Sequence, residues 1–454
     1  MLDISFVRQN PLEVRSNLAK RQDKGILERF DSLLSVDKEW RSLKQKVDEL
    51  RSMRNLISKE IEALVKQGKA TQEKINEARA IPEQIKSSEA RMRELDEKRL
   101  SLLMAIPNLL HESVPFGKDE TENKVIRVWG KLSKPDFEIQ HHGQLAVRLG
   151  GADFEKAVQV SGEGFYFLKN ELALMEQALS QYAIHYLVKK GFTFVKPPFL
   201  LRRKPLSGAL DLSEFESVIY KIEGEDHYLI GTAEHSLNAL HFEEILDSNQ
   251  LPLLYAGFST NFRKEIGKHG LDERGLFRLH QFDKVEQFVF CKPEDSWKLH
   301  ERLLKNAEEI VQGLELPYRV VNVCTGDIGT VAAKKYDIEC WSPREGKYFE
   351  THSLSNCTSY QAVRSGIKYR ISQTEKAFVH TLNATAIAAP RALRAILENH
   401  QSSDGTVKVP KALQPFMLGV KEIVPLDLQK QKPQIPQPSK KHAHKLLKRK
   451  PRRK

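Results

Sequence analysis

Five side chains near the middle of the chain could grip one ligand: Arg263, Glu265, Arg278, Phe282 and Glu286. They lie in FRKEIGKHGLDERGLFRLHQFDKVEQ, residues 262 to 287. Phe262 to Ile266 alternates with period two, and Leu276 to Glu286 sets apolar Leu276, Leu279, Phe282 and Val285 among charges. Between them, Gly267 to Gly275 holds glycine and charge. Two strands and a loop predict a hairpin. Residues two apart on a strand share a face, so Arg263 and Glu265 point one way. Arg278, Phe282 and Glu286, at four-residue steps, also share a face. Paired antiparallel, the two faces become one, with two guanidiniums, two carboxylates and an aromatic ring. That set suits a purine nucleotide with phosphates: Arg for phosphate oxygens, Phe for stacking, Glu for an amino group. For any one of the five, a salt-bridged solvent face is the simpler account. Five in register favour the ligand.

Other elements must position this face. The chain's 454 residues predict two or three domains. Val36, Trp40, Leu43, Val47, Leu50, Arg54, Ile57, Ile61 and Leu64 alternate by four and three, with only Arg54 breaking the apolar seam. Ile81, Ile85, Ser88, Met92, Leu95, Arg99, Leu102 and Ile106 repeat the spacing, and the polar stretch KQGKATQEK lies between the two runs. This predicts an antiparallel coiled-coil hairpin over about 27–106, with Pro82 kinking or starting its second helix. A helix of roughly 40 residues reaches about 60 Å. On pattern alone the hairpin is either a spacer or oligomerisation device, or an arm that reaches along a large ligand.

From about 116 to 425 the pattern is mixed. A helix over Glu171 to Lys190 leads into a strand over 192–200. Further strands are expected at 227–230, 253–258 and 318–323, and a last helix over Arg391 to Asn399. Hairpins mixed with helices argue for an α+β domain on a largely antiparallel sheet. No G-x-G-x-x-G follows a strand and no G-x-x-x-x-G-K-[ST] occurs, which excludes Rossmann and P-loop cradles.

The net charge of +12 is a local feature. Residues 430–454 hold eleven Lys or Arg and no acid, which leaves 61 basic against 60 acidic side chains in the rest. The tail, with its prolines and no apolar face, is expected to be disordered by itself. It is either an idle solvated extension or a non-specific tether for RNA. No apolar run is long enough to span a membrane, and MLDISFVRQNPLEV has no signal-peptide core. Cys291, Cys324, Cys340 and Cys357 form no C-x-x-C, which fits a reducing, cytoplasmic setting and gives no zinc pattern.

From about residue 1 to 425 the chain resembles the seryl-tRNA synthetase family of class II aminoacyl-tRNA synthetases. The charged hairpin looks like class II motif 2, GFTFVKPPFL like motif 1 with Pro198 as its signature proline, and TLNATAIAAPRALRAILENHQ like motif 3. LIGTAEH, YFETHSLSNCTSYQAVR, VPKALQPFM, the N-terminus and IPNLLHESVPFGKDETENKVIRVWG match as well. The resemblance implies a class II antiparallel-sheet catalytic domain over 111–425 and a tRNA-binding domain over 1–110 with a long coiled-coil arm, and it leaves a basic tail over 426–454 outside it. It implies an enzyme that activates serine with ATP and Mg²⁺ and loads it onto tRNA(Ser), dimerising through motif 1. Use of tRNA(Sec) stays open.

Residue by residue, the resemblance gives Arg263 the α-phosphate and Glu265 the adenine end, with Lys264 between them in the ATP-binding motif. Arg278 and Arg391 hold the outer phosphates, Phe282 stacks on adenine, and Leu279 lies beside it. Glu350 and Ser353 hold magnesium and phosphates, with Thr351 and His352 in the loop between them. The lone His352 reads as a hydrogen bonder behind the ligands. Thr232, Ala233 and Glu234 close on serine, Glu286 takes its amino group, and Asn383 and Thr385 recognise its hydroxyl. Cys357 reads as structural. Ala384-Thr385-Ala386 stands where many members carry Gly-Ser-Gly, with Thr385 keeping the hydroxyl. Pro390 stands directly before Arg391, where a helix's first turn tolerates it. The branch of the family that uses zinc lacks these motifs, so no zinc is expected. A tRNA-binding paralogue without catalysis, or a ligase for carrier proteins, are the alternatives. The first should have lost some of Arg263, Glu286, Glu350 and Arg391, and the second lacks the arm.

Overall fold

The computed structural model describes residues 1–132, 135–210, 217–265 and 275–429. The heptads form the arm they predict. Helix α1 (Ile4–Gln9) and helix α2 (Pro11–Ala19) pack at the foot of a 43-residue helix α3 (Lys24–Lys66). Gly68, at φ 67°, turns the chain. A short helix α4 (Gln72–Arg79) then leads to α5 (Ile81–Ala105), which runs back along α3. Pro82 sits in the first turn of α5, so it starts that helix. Val47, Leu50, Ile57, Ile81 and Ile85 bury the seam, while Arg54 is exposed.

Arg99, the polar member of the second seam, stacks over Trp40 at 4.2 Å and reaches Asp37 at 3.3 Å. Asp37 also takes Arg8 at 2.7 Å and Arg41 at 3.0 Å, so one buried carboxylate joins α1 to both long helices. Burial pushes the Asp37 carboxyl up, but its hydrogen bonds and ion pairs, Arg8 foremost, hold it below the usual carboxylate range. A depressed carboxyl stabilises the fold above its unfolded value and loses that stabilisation as pH falls through its folded value. Asp37→Asn is therefore expected to cost roughly 2 kcal/mol at neutral pH. In urea unfolding from pH 7 to 3, the gap between the two proteins should close below about pH 4. Equal stability at pH 7 would contradict this role.

The rest of the chain is built on an eight-stranded sheet. Its strands are β1 (Lys124–Trp129), β2 (Thr193–Val195), β3 (Leu253–Phe262), β4 (Gln281–Cys291), β5 (Tyr318–Asn322), β6 (Lys334–Ser342), β7 (Lys347–Thr358) and β8 (His380–Ala388). Their order is β1-β5-β6-β7-β8-β4-β3-β2, antiparallel except that β2 runs parallel to β3. The helices Asn170–Lys189, Ser296–Gly313 and Ala389–Asn399 cover one face and share the main core with it. The arm's foot docks through Phe30, Leu33, Leu103 and Ile106 around Tyr360. Asn108 ties the connection, donating to the carbonyls of Val331 (2.9 Å) and Cys357 (2.8 Å).

Four expectations need correction. The central hairpin is displaced: its ladder runs from Leu253↔Phe290 to Phe262↔Gln281, and Arg263 to Glu265 lie beyond it. The apolar halves of both strands lie deeper than the charged stretch, and burial decides where the ladder forms. Ile266, the expected end of the first strand, and residues 267 to 274 of the expected loop lie outside the described residues. The strand over 192–200 is interrupted at Pro197-Pro198, which lack ladder donors, and Leu200–Leu201 pairs elsewhere with Tyr228–Leu229. The stretch between Glu350 and Ser353 is no loop: it lies within β7, where Ile338 faces His352 and Glu339 faces Glu350, leaving Thr351 as a bulge. The tail begins later than 426, because Leu426–Gln429 is a helical turn whose Asp427 pairs with Arg148 at 3.0 Å. Residues 430–454 lie outside the described residues.

Candidate active site

On β4, side chains two apart point the same way. Phe282, Lys284 and Glu286 therefore share one face, and Glu286 stands opposite Thr385 of β8. Asn383 lies two residues along β8, opposite Ser355 of β7. Ser353 and Ser355 in turn face Asp337 and Lys335 of β6. This face floors a cavity of about 550 Å³. Arg263, Glu265, Arg278, Leu279, Phe282, Glu286, Thr232, Glu234, Glu350, Thr351, Ser353, Asn383, Thr385 and Arg391 all line it. Arg278 arrives from the turn before β4, so its place there does not come from strand alternation.

Two expected site residues turn away, and a third, His352, stands behind the cavity as a hydrogen bonder. The Lys264 ammonium lies over the Tyr220 ring at 5.5 Å. Ala233 is packed against Leu237 and Phe288 in a separate core cluster. His352 is buried, with Nδ1 2.8 Å from Thr351 Oγ1 and Nε2–H donating to the Ala386 carbonyl at 3.1 Å. Burial pushes His352 down to about 4, so it is neutral and holds the bulge.

One end of the cavity is rich in arginine. Arg263 donates through Nε to the Gly231 carbonyl at 3.0 Å and lies over Phe282 at 5.3 Å. His235 Nδ1 accepts from Gly231 N–H at 3.3 Å, fixing the residue whose carbonyl holds Arg263. Arg391 donates to the Glu350 carbonyl at 2.9 Å, pairs with its carboxylate at 3.3 Å, and stacks on Phe277 at 5.0 Å. Pro390 sits in the first turn of the helix that presents it. Arg278 meets Glu265 at 3.4 Å. Burial, then the charge of Arg391, depresses the Arg263 guanidinium. Burial pushes Glu350 up, yet Arg391, Lys335 and Arg263 hold it below its usual range. Crowded cations beside an aromatic ring suit a polyanion that carries a flat ring.

The other end is small and polar. Thr232 caps the helix Ala233–Ala239 and donates to Glu286 Oε2 at 3.1 Å. Glu234 Oε1 accepts from Gln361 (2.6 Å) and Asn383 (2.9 Å). Burial, then the Glu286 charge, pushes Glu234 up to about 7. Ala384 and Ala386 are fully buried in the main core on the far side, so their methyls do not enter this end. Cys357, buried, lines the floor 3.5 Å from Asn383 Nδ2.

Sequence reasoning missed Lys284, Lys335 and Asp337. Lys284 pairs with Glu286 and could have been found by the same alternation that joined Phe282 to Glu286. Lys335 pairs with Asp337 at 3.0 Å, and Asp337 stands opposite Ser353 of β7. No signal short of knowing the β6–β7 register marks them.

Residues 1–110 match the family model described as Seryl-tRNA synthetase N-terminal domain. Residues 217–400 match the tRNA synthetase class II core domain (G, H, P, S and T). The chain is 56% identical over 422 residues to a serine–tRNA ligase of Methanocella arvoryzae, covering 92% of this chain and 99% of that one. It is 48% identical over 448 residues to the serine–tRNA ligase of Pyrococcus horikoshii, covering 94% and 98%. The crystal structure of seryl-tRNA synthetase from Pyrococcus horikoshii complexed with ATP is similar at TM-score 0.90 and 47% identity, covering 94% and 100%. That of the cytoplasmic serine–tRNA ligase from Naegleria fowleri in complex with AMP is similar at TM-score 0.85 and 35% identity, covering 94% and 99%.

Proposed function

The chain belongs to the seryl-tRNA synthetase family and is a serine–tRNA ligase, and we propose how its cavity divides the work. Glu286 and Thr232 take the serine ammonium, Asn383 and Thr385 the hydroxyl, and Glu234 holds Asn383 in place. Arg263 grips the α-phosphate of ATP, Arg278 and Arg391 the outer phosphates, Phe282 stacks on adenine beside Leu279, and Glu265 meets the adenine edge. His352 positions Thr351, and Lys264 and Ala233 shape backbone rather than touch substrate. The observation that carries this reading is the triangle of Glu286, Thr232 and Thr385 at one end of a cavity whose other end gathers three arginines.

Serine's carboxylate oxygen bonds to the α-phosphorus as the bond to the bridging oxygen breaks, and pyrophosphate carries off the electron pair. The terminal ribose 3′-hydroxyl of tRNA then attacks the seryl carbonyl and AMP leaves. The protein supplies no nucleophile. Its arginines fix both partners and neutralise charge in a site of fixed geometry. Mg²⁺, which favours a few carboxylate oxygens plus phosphates, fits the ionised Glu350 and the Ser353 hydroxyl and would supply charge neutralisation at the phosphates. We assign no zinc.

The division at 110/111 assigns the arm to tRNA(Ser), with tRNA(Sec) a further candidate. The unpaired outer edge of β2 supports dimerisation through the motif 1 strand among the described residues. No described helix is long and apolar enough to cross a membrane. We place the enzyme in the cytoplasm, in keeping with its four free cysteines. A paralogue without catalysis is disfavoured because Arg263, Glu286, Glu350 and Arg391 meet in one cavity.

Glu286→Gln should raise the serine KM roughly 100-fold, the scale of a lost charged hydrogen bond, and leave the ATP KM unmoved. ATP–pyrophosphate exchange measures both. An unchanged serine KM would remove Glu286 from the ammonium site.

A further inference from the structure

We propose that, before serine arrives, Lys284 occupies the place of the serine ammonium, and that serine binds by displacing it. This rests on the reading of Glu286 and Thr232 as the ammonium site. Lys284 lies midway between Phe282 and Glu286 on the cavity face of β4. Its Nζ pairs with Glu286 Oε2 and donates to Thr232 Oγ1 at 3.4 Å. Thr232 Oγ1 donates to the same Oε2 at 3.1 Å. One ammonium thus already rests against both oxygens assigned to the substrate's ammonium.

The physical need for it is plain. The Glu286 side chain is 1% exposed, and that of Lys284 12%. A buried carboxylate left without a cation is strongly unfavourable. Arg263, the neighbouring guanidinium, is committed to the Gly231 carbonyl. Lysine carries the same compact, three-donor head group as an amino acid, on a flexible stem. Serine binding then exchanges one ammonium for another and never leaves Glu286 bare. Once displaced, Nζ remains among anions, since its charge already acts on Glu234 and Glu350. A hydroxy acid without an ammonium cannot make the exchange, which adds discrimination at the small end.

The test compares serine KM, ATP KM and kcat in pyrophosphate exchange for the wild type, K284M, K284R and E286Q, with melting curves with and without L-serine. K284M removes the competing ammonium and keeps the stem, so serine KM should fall about tenfold. L-Serine should also raise its melting temperature by more than that of the wild type. K284R offers Glu286 a two-pronged partner that leaves less readily, so serine KM should rise while ATP KM stays put. If the melting curve shows that K284M does not fold, K284Q carries the same expectation. A rise in serine KM in both Lys284 variants, with kcat falling in step, would make Lys284 a substrate ligand and overturn displacement. Loss of serine binding in E286Q without opposite shifts in K284M and K284R would overturn it too. An unchanged serine KM in E286Q would instead sink the ammonium-site reading beneath it.

Discussion

An enzyme in which residues 46–92 are replaced by a short glycine–serine turn should still activate serine but should no longer charge tRNA. Every cavity residue lies beyond position 208, so the excision touches none of them. Serine-dependent pyrophosphate exchange should stay within about twofold. Charging should fall by roughly a thousandfold, the sum of about three lost charged contacts. The excised stretch offers exposed cations for such contacts in Lys46, Arg54, Lys59 and Lys86, which no carboxylate pairs with among the described residues.

The cut points follow from the foot of the arm. Removing 30–104 would also take Phe30, Leu33 and Leu103 from the cluster around Tyr360, and Asp37 from its arginines. That would confound loss of tRNA contact with loss of folding. Cutting after Gln45 and resuming at Arg93 keeps Asp37, Trp40 and Arg99 together. Normal charging by the shortened, folded enzyme would mean that the arm does not read tRNA.

The arm was legible because a seam spaced by four and three has one solution, two helices face to face. The cavity was legible in part because Phe282 and Glu286 lie an even number of residues apart and must share a strand face. Adjacent residues in a motif fared worse for the same reason. Lys264 follows Arg263 and Ala233 follows Thr232, and one step along the chain turns a side chain away. Thr351 reaches the cavity only through a bulge, which no period predicts. Lys335 and Asp337 depend on strand register between distant segments, which neither spacing nor propensity encodes. The hairpin's ends were misplaced because its charges face a cavity, so the polar stretch that looked like strand lies past the ladder.

Selectivity carries the largest expected effect. Asn383 and Thr385 are nearly buried, at 8% and 3% exposure, with Glu234 fixing the Asn383 amide. A site that offers buried partners to a hydroxyl leaves them unmatched when the substrate lacks one. Such sites reject the shorter analogue by roughly 10⁴ to 10⁵. Alanine should be refused on that scale. Threonine satisfies the same partners and is opposed only by shape, a methyl's worth of discrimination of roughly 10 to 200-fold. It should therefore be the principal error. The direct measurement is ATP–pyrophosphate exchange with each of the twenty amino acids in turn. Serine should dominate, threonine should follow at a distance, and alanine should be at background. Exchange with alanine within tenfold of serine would contradict the assignment of this cavity to serine.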